Sequence, residues 1–187
     1  MMTLVIGGSS SGKSAYAESL LDGYGEKFYI ATMQAEDEES KKRVRRHQML
    51  RQGKEFITIE QSGNLAEAAG KIKKYRVQRK KAVKVQSAAL LECISNLVAN
   101  EMFMPDGIRS EQETVQLVIH GIEKVLAEVG ELVVVTNNVF EDGVTYDDGT
   151  MAYLRAIAKV NEKLAKMADR VVEVVVGIPV ELKGDKR

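Results

Sequence analysis

The chain contains one cysteine, two histidines, two prolines and no tryptophan among its 187 residues, and its 27 basic and 27 acidic side chains cancel. A lone cysteine, Cys93, excludes an intrachain disulfide; it stands in an apolar segment and is expected as a small buried side chain. Zero net charge removes any general attraction to nucleic acid or to an anionic membrane. No apolar run approaches the roughly 18 residues that a helical bilayer span requires, and no secretory leader pattern precedes the first strand-like run, so a cytoplasmic protein is expected. Neither an internal repeat nor a low-complexity tract nor a linker interrupts the chain, which is expected to form one domain over residues 1–187. One basic cluster breaks the charge balance, Lys71, Lys73, Lys74, Arg76, Arg79, Lys80, Lys81 and Lys84. It lacks the interleaved aromatics that would stack on bases, so a solvated helix face and loop is expected there.

The segment Gly7-Gly8-Ser9-Ser10-Ser11-Gly12-Lys13-Ser14 follows the apolar run Leu4, Val5, Ile6 and satisfies the pattern Gly-x4-Gly-Lys-Ser. Average residue frequencies produce those four residues at that spacing in roughly 1% of chains of this length. Glycines let a backbone turn with positive φ and bring its N–H groups against a polyphosphate with no Cβ in the way. Lys13 then reaches the outer phosphates, Ser14 ligates Mg²⁺, and the helix beginning near Lys13 adds a partial positive charge.

Strand-like and helix-like runs alternate along the chain, the pattern of an α/β fold with a mostly parallel sheet flanked by helices. The expected strands are Met2 to Ile6, Lys27 to Ala31, Phe56 to Glu60, Ala88 to Glu92, Leu132 to Thr136 and Val171 to Val176, with a last one at Val180 to Lys183. A helix is expected from Glu111 to Val129, where Val115, Val118, Ile122, Val125 and Val129 form one stripe. Another is expected from Met151 to Ala168, with Asn161 on its inner face and satisfied by nearby backbone. A third, Glu36 to Gln52, is almost wholly polar, acidic first and basic last, and is expected to project from the body or to close over a site. Pro105 to Ser110 reads as a loop.

A phosphate site of this kind calls for an acidic residue at the end of a neighbouring apolar strand, to hold Mg²⁺ directly or through water. Ala89-Leu90-Leu91-Glu92 supplies one, so Ser14 and Glu92 are the expected metal-side residues. Of the two histidines, His120 falls on the polar side of its helix. His47 follows Arg43, Arg45 and Arg46, cations that can neutralise a phosphate brought against the imidazole, and an imidazole nitrogen can form a covalent phosphoramidate.

The order of these motifs resembles the bifunctional adenosylcobinamide kinase / adenosylcobinamide-phosphate guanylyltransferase family of cobalamin biosynthesis. The segments that carry the resemblance are Gly7 to Ser14, Tyr29-Ile30-Ala31-Thr32-Met33-Gln34, Arg43-Val44-Arg45-Arg46-His47, Thr58-Ile59-Glu60, Leu90-Leu91-Glu92-Cys93-Ile94-Ser95-Asn96, Val135-Thr136-Asn137, Val160 to Ala165 and Gly177-Ile178-Pro179. The resemblance implies a RecA-like P-loop fold and a homotrimer. It implies phosphorylation of adenosylcobinamide by ATP or GTP, with Lys13 at the phosphates, followed by GMP transfer from GTP through His47 as the covalently guanylylated residue. It also implies that Ala31, Thr32, Met33, Gln48, Met49, Leu50, Arg51, Glu60 and Glu92 help hold the guanine nucleotide, beside Gly7, Gly8, Ser9, Ser10, Ser11, Gly12, Lys13 and Ser14 of the loop. It implies, too, that the helix bearing His47 moves when nucleotide binds. Departures from the family pattern are Ser10 for an arginine, Gln52 and Phe56 for the expected Arg-Pro and Trp, the run Asn138 to Thr145, and Ala156 near an expected Asp. Two other readings stay open on these residues: a P-loop kinase of another small alcohol or nucleotide, and a nucleotide-binding regulatory protein without catalysis.

Overall fold

The computed structural model describes residues 1–34, 38, 41, 42, 45, 49, 53–78, 87–139 and 146–184. Seven strands form one sheet in the order β3-β2-β4-β7-β1-β8-β9. They are β1 (Met2–Gly7), β2 (Glu26–Ala31), β3 (Phe56–Glu60), β4 (Ser87–Glu92), β7 (Glu131–Asn137), β8 (Arg170–Val175) and β9 (Ile178–Lys183). All neighbours run parallel except the β8–β9 hairpin. The helices among the described residues are α1 (Lys13–Ser19), α2 (Ala66–Gln78), α3 (Ile94–Met102), α4 (Glu111–Glu128) and α5 (Asp148–Met167).

Continuous apolar runs make the central strands because both of their faces are covered. Leu4, Leu91, Leu132 and Val134 join the core beneath α2 to α5, while Val5, Leu90, Val133 and Val135 point the other way, onto Ala17 and Leu21 at α1. The stripe foreseen for α4 is buried at Val115, Val118, Ile122 and Val125. Its start is a reciprocal cap: Ser110 Oγ accepts from Glu113 N–H and donates to a Glu113 carboxylate oxygen at 2.6 Å. The α5 helix starts three residues earlier than its apolar pattern suggests, because Asp147 Oδ1 accepts from Thr150 N–H at 3.0 Å and sets the boundary.

Several expectations are corrected. The Pro105 to Ser110 stretch is not a plain loop: its Gly107–Ile108 (β6) pairs antiparallel with Phe103–Met104 (β5) around Pro105 and Asp106. The last strand begins at Ile178, and Val176 belongs to the preceding turn. Arg76 is not part of a solvated basic face; it is buried, 3.4 Å from Glu26, and donates to Glu128 O at 2.7 Å. Burying that charge without a partner would be prohibitive, so the helix turns it inward onto a carboxylate and a helix-end carbonyl. Lys71, Lys73 and Lys74 are exposed, and Arg79, Lys80, Lys81 and Lys84 lie outside the described residues. Asn161 does point inward, but Oδ1 accepts from the Thr136 hydroxyl at 2.8 Å instead of from backbone. The polar Glu36 to Gln52 stretch is helical at Glu38, Lys41, Lys42, Arg45 and Met49, and its remaining positions, His47 among them, lie outside the described residues.

Candidate active site

Parallel strands all present their carboxyl ends on one side, and that edge gathers the site. Between β1 and α1 the chain turns through Gly7 to Lys13. A Cβ on Gly7 would lie 2.5 Å from Ser11 Oγ and 2.7 Å from the Val174 carbonyl oxygen, so only glycine fits there. Gly12 takes φ 91° at the start of α1. The other left-handed residue of the loop is Ser10, at φ 57°, where glycine was expected to carry the positive φ. A small exposed serine tolerates that conformation at roughly 1–2 kcal/mol. Strands on both sides hold the loop: Asn138 N–H donates to Gly7 O at 3.1 Å, and Gly177 N–H to Ser11 O at 2.8 Å.

Lys13 is 9% exposed, and its Nζ donates to Gly8 O at 3.0 Å, across the mouth of the loop. Burial pulls its pKa below that of an ordinary lysine, against the raising influence of Cys93 and Glu92. A polyphosphate arriving here supplies the countercharge that burial withholds.

Ser14 Oγ donates to Glu92 Oε1 at 2.5 Å, and Tyr29 OH to Glu92 Oε2 at 3.1 Å. The strand carrying Glu92 is not the immediate neighbour of β1, since β7 lies between them. At ~4.8 Å per strand the two are roughly 10 Å apart, and α1 brings Ser14 across β7 to close the gap. A hydroxyl and a carboxylate are hard oxygen donors that fit Mg²⁺, whose other positions are usually filled by water and phosphate. Among the described residues no group of three or more His, Cys, Asp or Glu is placed to hold a metal without such help.

The remaining expected nucleotide residues spread along the same edge. Ala31 is in register with Glu92 on one side and Glu60 on the other. Glu60 is exposed at the end of β3, roughly 10 Å from the Glu92 strand, so the two carboxylates occupy different parts of the edge. Thr32 is fully buried: its Oγ1 accepts from Cys93 N–H at 2.7 Å and lies 3.0 and 2.9 Å from the carbonyl oxygens of Glu92 and Cys93. Met33 is half-buried, and Met49 is exposed. Gln48, Leu50 and Arg51, like His47, lie outside the described residues.

Thr32 therefore locks β2 to the turn after β4. Thr32→Val keeps the shape but leaves the Cys93 N–H without its partner, at a cost of about 1–3 kcal/mol. For a chain of this size calorimetry should show Tm lowered by about 2–10 °C, and an unchanged Tm would refute the assignment.

Sequence reasoning missed Tyr29 as the second ligand of Glu92, and a polar cluster beyond it. Cys93 is buried as expected, but its Sγ sits 3.1 Å from Ser95 Oγ, and burial raises the thiol pKa. Asn137 Nδ2 donates to Ser95 Oγ at 2.6 Å, and Tyr153 OH to Ser95 O at 3.1 Å. Burial pushes the Tyr153 phenol up to about 12. Tyr29, Ser95 and Asn137 stand in the motif segments quoted above, yet only the strand order places them together.

This phosphate loop at the carboxyl edge of a mostly parallel sheet, with a lysine and a serine–carboxylate pair at its mouth, defines a P-loop nucleotide-binding α/β protein. The fold is shared with a KaiC-like protein from Pyrococcus horikoshii OT3, with TM-score 0.50 and 14% identity over 92% of this chain and 71% of that one. The chain belongs to the cobinamide kinase / cobinamide phosphate guanyltransferase family, whose profile matches residues 3–182. It is 32% identical to the bifunctional adenosylcobalamin biosynthesis protein CobU of Escherichia coli (strain K12), over 98% of this chain and 100% of that protein. It is 27% identical to the bifunctional adenosylcobalamin biosynthesis protein CobP of Pseudomonas aeruginosa, over 99% of each.

Proposed function

We propose that this protein phosphorylates adenosylcobinamide with ATP or GTP and then transfers GMP from GTP to the product, giving adenosylcobinamide-GDP. The observation that carries the reading is the family match across residues 3–182, which spans the phosphate loop and every segment quoted for the resemblance. In the kinase step the acceptor hydroxyl attacks the γ-phosphorus and the bond to the β-phosphate oxygen breaks. Lys13 offsets the charge of the transferring group, and the loop N–H groups orient the phosphates. Ser14 and Glu92 would hold Mg²⁺, which when bound neutralises phosphate charge. Tyr29 keeps the Glu92 carboxylate turned towards Ser14.

In the second step a nitrogen of His47 attacks the α-phosphorus of GTP and pyrophosphate leaves. A phosphate oxygen of adenosylcobinamide phosphate then attacks the same phosphorus, the P–N bond breaks and the imidazole is regenerated. Gln48 to Arg51, Glu60 and the Ala31 to Met33 segment serve the guanine nucleotide in this reading. The protein works in the cytoplasm as a homotrimer.

The test is intact-protein mass spectrometry after incubation with GTP and Mg²⁺: an acid-labile gain of one GMP is expected, and its absence from protein that binds GTP refutes the transferase half. For the kinase half, Glu92→Gln is expected to bind ATP within a few-fold of wild type but to lose about 10²-fold in phosphoryl transfer, because an amide in place of the carboxylate would hold Mg²⁺ less firmly beside Ser14. Full turnover at low Mg²⁺ in that variant would refute the role of Glu92.

A further inference from the structure

The β8–β9 turn consists of Val176 and Gly177, flanked by the paired residues Val175 and Ile178. Both turn residues have positive φ, 45° and 83°. Two-residue hairpins of this kind favour Asn-Gly, and a β-branched side chain is among the least suited to the first position. Val176 is also 84% exposed, so packing inside the chain does not compensate for its conformation. An unfavourable residue with its methyl groups in solvent calls for a contact outside the chain.

The turn lies against the phosphate loop. Gly177 N–H donates to Ser11 O at 2.8 Å, and a Cβ built on Gly12 would lie 3.3 Å from Gly177 Cα. It stands on the β8 side of β1, whereas Ser14 and Glu92 meet on the opposite, β7 side. A triphosphate whose outer, metal-bearing end lies towards Ser14 and Glu92 leaves the loop with its nucleoside on the β8 side. We propose that Val176 is the apolar contact for the nucleoside of the phosphate donor held in the loop during the kinase step, the guanine of the transfer step being served from the Ala31 to Met33 and Glu60 side. The inference rests on the nucleotide site of the proposed function and adds a residue to it. An aliphatic surface reads the face of a purine or ribose without reading its hydrogen-bonding edge, so it serves ATP and GTP alike.

The variant Val176→Asn separates this role from a structural one, because asparagine suits the turn. Tm is expected to rise by about 2–4 °C as the backbone conformation becomes favourable. The Kd for ATP, measured by titration calorimetry on the full chain, is expected to weaken about three- to tenfold, the scale of a partly buried valine, with KM rising in step and kcat changing less. Val176→Gly should weaken binding in the same way. Unchanged ATP affinity in both variants, with wild type binding normally, overturns the inference and leaves the proposed function standing. A change of oligomeric mass in sedimentation without a change in Kd overturns it too, by assigning Val176 to a subunit contact. Wild-type protein that binds neither ATP nor GTP overturns both readings.

Discussion

Lys13→Ala is expected to lower kcat/KM for phosphoryl transfer by about 10²–10³-fold, the scale on which one fixed charge-stabilising donor acts in a water-poor site. Lys13 is nearly buried, and its ammonium reaches across the loop to Gly8 O, where the outer phosphates would lie. Removing it leaves no other lysine among the loop residues Gly7 to Ser14. Burial lowers its pKa, so the charged form is held less firmly in the free protein than in the complex. Two consequences distinguish this account from simple unfolding. The variant should keep a normal Tm, since a lysine strained by desolvation contributes little to stability. Its loss should also be shared by GMP transfer, whose GTP brings the same outer phosphates to the loop. Steady-state kinetics with ATP and with GTP would check both, and wild-type rates would refute the assignment of the loop.

His47→Ala is expected to abolish the acid-labile GMP adduct and guanylyl transfer altogether while phosphorylation of the acceptor continues within a few-fold of wild type. The asymmetry follows from the chemistry: a covalent nucleophile has no substitute in its own step and no role in the other. Intact-protein mass after GTP treatment reads the first effect and a coupled kinase assay the second. Joint loss of both activities would contradict the division of labour, and an adduct persisting in the variant would move the nucleophile elsewhere.

Much of the fold was legible because it is written in local patterns. The runs Leu4 to Ile6, Ala88 to Leu91 and Leu132 to Val135 are apolar throughout, as strands buried on both faces tend to be, and the stripe from Val115 to Val125 has the helical period. The misread elements are those where a local pattern is weak or is overruled by a partner. The two-residue strands β5 and β6 are too short to show alternation. Arg76 looks like one more member of a basic cluster until Glu26, 50 positions earlier in the chain, is brought against it by the packing of α2. Val176 reads as the end of an apolar strand, and its conformation emerges only from the hairpin it closes.

The sequence alone determined the phosphate loop, the acidic strand end at Glu92 and the alternation that makes a mostly parallel sheet, because each depends on residues adjacent in the chain. The strand order was decided by the tertiary structure, and with it the meeting of Ser14, Glu92 and Tyr29 across β7, the burial of the Thr32 hydroxyl and the Gly177 bond to Ser11. Those contacts join residues from about 60 to 170 positions apart. No local propensity encodes such separations; they are selected by which strands can pair while burying both faces of the sheet.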